Sequence, residues 1–323
     1  MKKVLFLLAV SLMVFTGCKK EEVTPTTGDS FKTLSTYLVA QDLDLPDMLS
    51  SWIVARPAAG DLTTFLGTYD ILDIRGASDF SAGHIEGATN TSLANILAAA
   101  KNTSKPILVA CYTGQAASHA VIALRLSGYK DAKVLKWGMS GWAASFSGPW
   151  ESNSGDANGN AAATLGNWEA KPGNITATGS FAYPEYTTTS TDGAGILEER
   201  VTKMITNGFK GVPSTKVLTT PSDYFINNFW AAADVEANGN MTGAYRIKPL
   251  SLENDEVKGL DPSKTIVTYC WTGQTSSMVT AYLNVIGYNA VSLKFGANSM
   301  IYSDLSGHKF VTPTTDLPVV TDK

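Results

Sequence analysis

The chain has 323 residues, of which 44% are hydrophobic and 17% charged, a composition that excludes wholesale disorder and collagen-like repetition. With 25 basic against 29 acidic residues and no basic tract, it offers nothing to a phosphate backbone, so nucleic acid is not an expected partner. Three cysteines cannot form a disulfide framework at this length, and the length suits two domains.

Lys2 and Lys3 precede an apolar run from Val4 to Phe15, followed by Thr16-Gly17-Cys18. A basic start, an apolar stretch of about a dozen residues and small residues at a cleavage point make an export signal over residues 1–17. The run is short of the roughly 20 residues that a membrane span needs. Phe15-Thr16-Gly17-Cys18 resembles a bacterial lipobox, with Phe15 where Leu is usual, and implies lipidation of Cys18. The expectation is an exported protein, lipid-anchored through Cys18 in the outer membrane of the cell envelope. The charged run Lys19-Lys20-Glu21-Glu22 resembles lipoprotein surface-export signals. Residues 18–30 have the composition of a tether.

The body contains one pattern twice. ILVACYTGQAASHAVIALRLSGY (107–129) matches IVTYCWTGQTSSMVTAYLNVIGY (266–288) at a constant offset of 159. Cys111, Gly114, Gln115 and Ser118 thereby meet Cys270, Gly273, Gln274 and Ser277. Leu135-Lys136-Trp137-Gly138 meets Leu293-Lys294-Phe295-Gly296, and the Gly83–Ala88 segment meets Gly239–Ala244. So long a period means two globular units, not a solenoid. Their expected bounds are 31–150 and 191–323, joined by a Gly/Asn-rich linker over 151–190 with local order around Trp168. Asp156-Ala-Asn158-Gly-Asn160 only faintly echoes a calcium loop, and a plain turn is expected there.

In the first unit, Tyr69–Ile74, Ile107–Ala110 and Val134–Trp137 read as short strands. Gln115–Leu126 reads as a core-facing helix stopped by Gly128. Alternating strands and helices predict an α/β fold, each unit a largely parallel sheet flanked by helices. In both units a buried strand delivers a Cys at its C-terminal end, and a glycine turn and helix follow. Ligands gather at such strand ends. Unsatisfied N–H groups and the helix dipole there favour a thiolate, so lowered Cys pKa values are expected. Gly114 and Gly273 let successive N–H groups converge into a nest.

The ordered set Asp73-Ile-Arg75, Phe80, Gly83-His84-Ile85-Glu86-Gly87-Ala88, Cys111-Tyr-Thr-Gly114-Gln and Lys136-Trp137-Gly138-Met-Ser-Gly141-Trp142 resembles the rhodanese family. The resemblance spans about 31–150 and, more weakly, 191–312, implying two tandem rhodanese-like domains. It further implies transfer of sulfane sulfur from a small donor such as thiosulfate, 3-mercaptopyruvate or a persulfide. The acceptor would be cyanide, a thiol or a partner protein, and no metal or organic cofactor is expected. Cys111 and Cys270 would be the nucleophiles. The backbone from Tyr112 through Thr113, Gly114 and Gln115 to Ala116 would cradle the substrate, as would that from Trp271 through Thr272, Gly273 and Gln274 to Thr275. Asp73, Arg75 and His84 would give structural support, and His119 is read as a surface or core-edge residue.

Two departures stand out. Neither loop carries the Arg or Lys that many rhodaneses place after the Cys. The second copy has Asn228-Phe-Trp230 where the first has Asp73-Ile-Arg75, and Asn240 where the first has His84. A Cys-x5-Arg phosphatase or arsenate reductase is excluded, because Ala117 and Ser276 occupy the required Arg positions. The remaining rival is a non-catalytic sulfur or redox sensor, or a docking module.

Overall fold

The computed structural model describes residues 30–156, 167–170, 172–173, 175–176 and 179–322. The expected export signal, the lipidation site Cys18 and residues 157–160 of the glycine–asparagine turn lie outside them. Among the described residues no helix is long and apolar enough to cross a membrane.

Two parallel sheets form the frame. The first comprises β1 (Ile53–Val54), β2 (Asp70–Asp73), β3 (Thr89–Asn90), β4 (Ile107–Ala110) and β5 (Lys133–Leu135), in the order β1-β5-β4-β2-β3. After a short strand β6 (Trp168–Glu169), the second sheet comprises β7 (Gly211–Val212), β8 (Tyr224–Asn228), β10 (Thr265–Tyr269) and β11 (Ala290–Leu293), in the order β7-β11-β10-β8. Every neighbour within either sheet is parallel. The second order repeats the first without a counterpart of β3. β9 (Asn240–Met241) instead pairs antiparallel with β6, which gives the linker its order at Trp168. The fold is therefore α/β with two like units, as the sequence predicts.

β4 is central because its four residues are all apolar and all buried, the pattern of a parallel strand covered on both faces. Its side chains alternate between two cores. Leu108 joins Ile71, Leu135 and Trp142 on the outer face, while Val109 joins the interior. In β10, Val267 and Ile266 divide in the same way. The interior cluster runs through both units, taking in Leu34, Val121, Ile122, Ile266, Met278 and Tyr282.

Four longer helices fill that interior: α1 (Ser30–Ala40), α2 (Gln115–Leu126), α3 (Gly193–Asn207) and α4 (Gln274–Val285). α2 packs on α4, and α1 on α3. Every residue of α2 except Ala116 is buried, because sheet covers one side and α4 the other. Asp44 ties the units further. Its carboxylate accepts from Leu45 N (2.7 Å), Leu252 N (2.9 Å) and Ser251 Oγ (2.8 Å) while itself buried.

Two features differ from the sequence expectation. β5 stops at Leu135 because Trp137 adopts φ 67°, a left-handed conformation that no strand continues through. The final residues, expected within the second unit, cross back to the first. Val320 bridges His84, and Pro318 O accepts from Trp142 Nε1 (2.9 Å).

His119 is buried, not at the helix surface, and lies edge-on to Phe209. Burial pushes its pKa down from 6.5 to about 4, with the Met204 backbone opposing. The unfolded chain, whose imidazole titrates normally, takes up the proton first. Stability from a neutral His119 is thus complete above pH 6.5 and is lost as the pH falls toward 4, by about 3 kcal/mol. His119→Met, which copies Met278 of the second unit, should flatten urea-unfolding stability between pH 6.5 and 4. An unchanged slope would assign the acid sensitivity elsewhere.

Candidate functional site

Each Cys sits where its strand hands over to a helix. β4 ends at Ala110, so Cys111 is the first residue of the turn into α2. Gly114 closes that turn at φ 80° and Gly273 closes the other at φ 74°, values that glycine adopts without steric penalty. The turns point backbone donors at sulfur. Cys111 Sγ accepts from Gly114 N (3.1 Å) and Ala117 N (3.4 Å). Cys270 Sγ accepts from Ser276 N (3.3 Å), and its thiol donates to Ser276 Oγ (3.6 Å). In both units the amide of the residue six after the Cys donates to its sulfur.

The Cys carbonyls are pinned as well. Cys111 O accepts from Met139 N (2.8 Å) and Cys270 O from Ala297 N (2.9 Å). The aromatic residues two before these donors, Trp137 (φ 67°) and Phe295 (φ 63°), are both left-handed. Such a conformation costs about 1–2 kcal/mol per residue. Its recurrence at both sites marks it as part of the loop architecture.

Both cysteines are buried, with 5% and 3% of their surfaces exposed. That corrects the expectation of a lowered thiol pKa at Cys111. Burial pushes this thiol above its ordinary value, and the Asp73 charge adds to the rise. The amides of Ala117, Thr113 and Gly114 pull it down by less. Desolvation of a charged sulfur wins over three partial positive charges.

Around Cys111, Asp73 and Arg75 form a buried ion pair (2.6 Å), and Arg75 Nη2 also donates to Gly83 O (2.7 Å). The guanidinium lies between the rings of Tyr112 (5.2 Å) and Phe146 (5.3 Å). Asn90 Nδ2 donates to the carbonyls of Asp73 and Arg75. His84 stacks on Phe80 and its Nδ1 lies 2.9 Å from Phe80 O, so its ring is engaged away from the sulfur. The second unit replaces this charge network with amides and an indole. Asn228 Nδ2 donates to Asn240 Oδ1 (3.0 Å), and Trp230 stacks on Trp271 at 4.0 Å.

Sequence reasoning gave Gln115 and Gln274 only a place in the cradles. Their side chains instead cross between the units. Gln115 Oε1 accepts from Phe295 N (2.8 Å), and Gln274 Nε2 donates to Thr113 O (3.3 Å). A Cβ on Gly114 would collide with the Gln274 amide, and one on Gly273 with Gln115. Thr113 Oγ1 accepts from Gln115 Nε2 (3.2 Å), and Thr272 Oγ1 from Gln274 N (3.3 Å). Trp137 and Phe295 also meet on one ring, Trp150, at 4.8 and 5.0 Å. The sequence signal for the crossing was an identical Gln after the turn glycine in both copies. Ala116 and Thr275 are half-buried and take no described side-chain hydrogen bond to the sulfur.

Nothing here forms a metal site, since no cluster of His, Cys, Asp and Glu able to hold an ion occurs among the described residues. A cleft of about 570 Å³ opens between Leu43 and Leu197, and neither Cys lines it.

A parallel α/β unit with an amide-ringed Cys at its central strand end defines a class, and comparison with known proteins agrees. Residues 58–145 match the rhodanese-like domain family. The thiosulfate sulfurtransferase GlpE of Pseudoalteromonas translucida is 34% identical over 79 residues, which is 24% of this chain and 75% of that protein. The protein of the same name in Pseudomonas putida is 37% identical over 79 residues, covering 24% and 71%. Among solved structures, a thiosulfate sulfurtransferase from Pseudomonas aeruginosa aligns with 88% of this chain and 49% of its own, at 14% identity and a TM-score of 0.30. The chain belongs to the rhodanese family.

Removing the Gln115 side chain would leave the buried Phe295 N–H without an acceptor, at a cost of about 1–3 kcal/mol. Gln115→Ala should therefore lower stability by that amount in urea unfolding. A change below about 0.5 kcal/mol would show that the crossing is not a structural tie.

Proposed function

We propose that the chain is a sulfurtransferase that carries sulfane sulfur as a persulfide on Cys111 and Cys270. The observation that carries this reading is a cysteine at the end of a buried parallel strand whose sulfur accepts backbone amides of the following turn and helix, from Gly114 and Ala117 at Cys111 and from Ser276 at Cys270. The names of the curated relatives support the same activity. The thiolate attacks the outer sulfur of a donor, the donor's S–S bond breaks, and its electron pair leaves with the remainder. A thiophilic acceptor then attacks the outer sulfur of the persulfide and regenerates the thiolate. Amides already aimed at sulfur stabilise the anionic forms without reorganising. Asp73, Arg75 and His84 shape the ground on which the first loop stands.

Burial of both sulfurs and the raised Cys111 pKa favour the second reading, a sulfur or redox sensor or docking module. Mass spectrometry after treatment with thiosulfate or a small persulfide separates the two. A sulfurtransferase gains about 32 Da on Cys111 or Cys270, turns over with an acceptor, and loses turnover in the Cys111→Ser/Cys270→Ser double variant. Loading of Cys111 should climb about tenfold per pH unit from pH 7 to 9, because the thiolate is the minor form throughout. A plateau below pH 8 would contradict the buried-thiol account. No sulfur uptake at either Cys would leave the sensor or docking reading in front.

We also propose that Cys18 is lipidated and anchors the protein in the cell envelope, on the strength of the basic–apolar–small–Cys order of residues 2–18. Cys18→Ala should move the protein from the membrane fraction to the soluble fraction. Retention in the membrane fraction would rule the anchor out.

A further inference from the structure

The two sulfur sites differ in charge, and the difference follows from four paired positions. Asp73 lies opposite Ala110 in the first sheet and Asn228 opposite Tyr269 in the second. Each partner immediately precedes the Cys, so Asp73 corresponds to Asn228 and Arg75 to Trp230. Downstream, Asn90 donates its side-chain amide to Arg75 O (2.9 Å), and Arg246 Nε donates to Trp230 O (3.0 Å). Asn90 therefore corresponds to Arg246, and Ser92, two residues on, to Lys248.

In the first unit the guanidinium is spent on a buried carboxylate, and the pair is neutral. In the second unit the carboxylate has become Asn228, and the Arg246 guanidinium bonds the Trp230 carbonyl instead. Lys248 adds a second cation. Its Nζ lies 5.3 Å from the centroid of Phe229, whose N–H donates to Tyr269 O beside Cys270. Arg246 and Lys248 form no ion pair among the described residues. The charges that act on Lys248 are those of Asp234, Arg246 and Cys270. The Asp234 carboxylate also accepts from Ala231 N (3.3 Å). Partial desolvation of the Lys248 ammonium, on a side chain that is itself exposed, lowers its pKa, while Asp234 and the Cys270 sulfur favour its charge. An indole wall completes the setting, with Trp271 held between Trp230 (4.0 Å) and His308 (5.3 Å).

We infer that the Cys270 site, not the Cys111 site, is the one that takes an anionic sulfur donor, with Lys248 and Arg246 as its specificity-determining cations. The inference rests on the sulfurtransferase reading and divides labour between the two sites. With thiosulfate, the Cys270 thiolate bonds to the outer sulfur, the S–S bond of the donor breaks, and sulfite leaves with the electron pair. Total charge is unchanged across the step. Two cations offset the repulsion between an incoming dianion and a thiolate. Cys111, beside a guanidinium already neutralised by Asp73, suits a neutral or cationic persulfide.

The test uses the full chain as Cys111→Ser and Cys270→Ser variants, with the rate of persulfide formation read by mass spectrometry. The probes are thiosulfate and the persulfide of cysteamine, which carries an ammonium group. Thiosulfate should load Cys270 faster than Cys111, and the cysteamine persulfide should not share that preference. Lys248→Gln should lower the ratio of thiosulfate to cysteamine persulfide loading at Cys270 about tenfold, and Lys248→Arg should restore it. The ratio at Cys111 should not move in either variant. Thiosulfate loading Cys111 as fast as Cys270, or a ratio unmoved in Lys248→Gln, overturns the inference while sulfur uptake keeps the sulfurtransferase reading alive. No uptake from either probe at either Cys removes both.

Discussion

The close approach of two glycine turns governs the molecule. Gly114 and Gly273 each lie against a glutamine from the opposite unit with no room for a Cβ. That approach requires the helices behind them, α2 and α4, to pack together over their first turns. The first turns of both helices are built from small residues, Ala117, Ser118, Ser276 and Ser277, and all four are fully buried. The two cysteine loops consequently stand back to back, and each is braced by a side chain from the other repeat. Neither loop is a self-contained site in the way that a single isolated domain would have to be.

From this constraint much of the surrounding structure follows. A helix covered by sheet on one side and by its twin on the other cannot carry a polar face, which explains why even Arg125 and His119 are drawn inside. Arg125 is accommodated because its guanidinium meets carbonyls of Ala132, Met48 and Ser50 at 2.7–3.0 Å. His119 has no such set of acceptors and is held neutral. Asp44, the α1–α3 contact and the returning tail then lock the edges of the shared core. They are long-range ties that oppose any hinge between the units.

The sequence carried the local architecture well. The apolar run at Ile107–Ala110 and the glycines at 114 and 128 define β4 and α2 to the residue, because burial on both faces and a forced turn leave unmistakable patterns. The repeat disclosed both cysteines at equivalent places. Three things were not legible, each for a tertiary reason. A Gln at the start of a helix reads the same whether its side chain faces a ligand or another loop. The return of residues 315–322 to the first unit depends on contacts more than 170 residues away, such as that between Trp142 and Pro318. The raised thiol pKa leaves no sequence signal, because helix amides are visible in sequence, whereas the depth at which they lie is not.

Depth changes what such a loop does. In water, three amides and a helix end lower a thiol pKa; under the same amides at depth, the resting Cys111 is a protonated thiol. Low dielectric penalises the bare anion, yet it also strengthens every hydrogen bond to an anion that does form there. The amides therefore act most strongly once the thiol has lost its proton, when they hold the charged sulfur. Asp73 then becomes intelligible as more than a brace for Arg75. Its charge adds to the penalty on the free thiolate of the first site, and the neutral Asn228 holds the matching strand position in the second. Two loops on one strand–turn–helix plan therefore stand among differently charged neighbours.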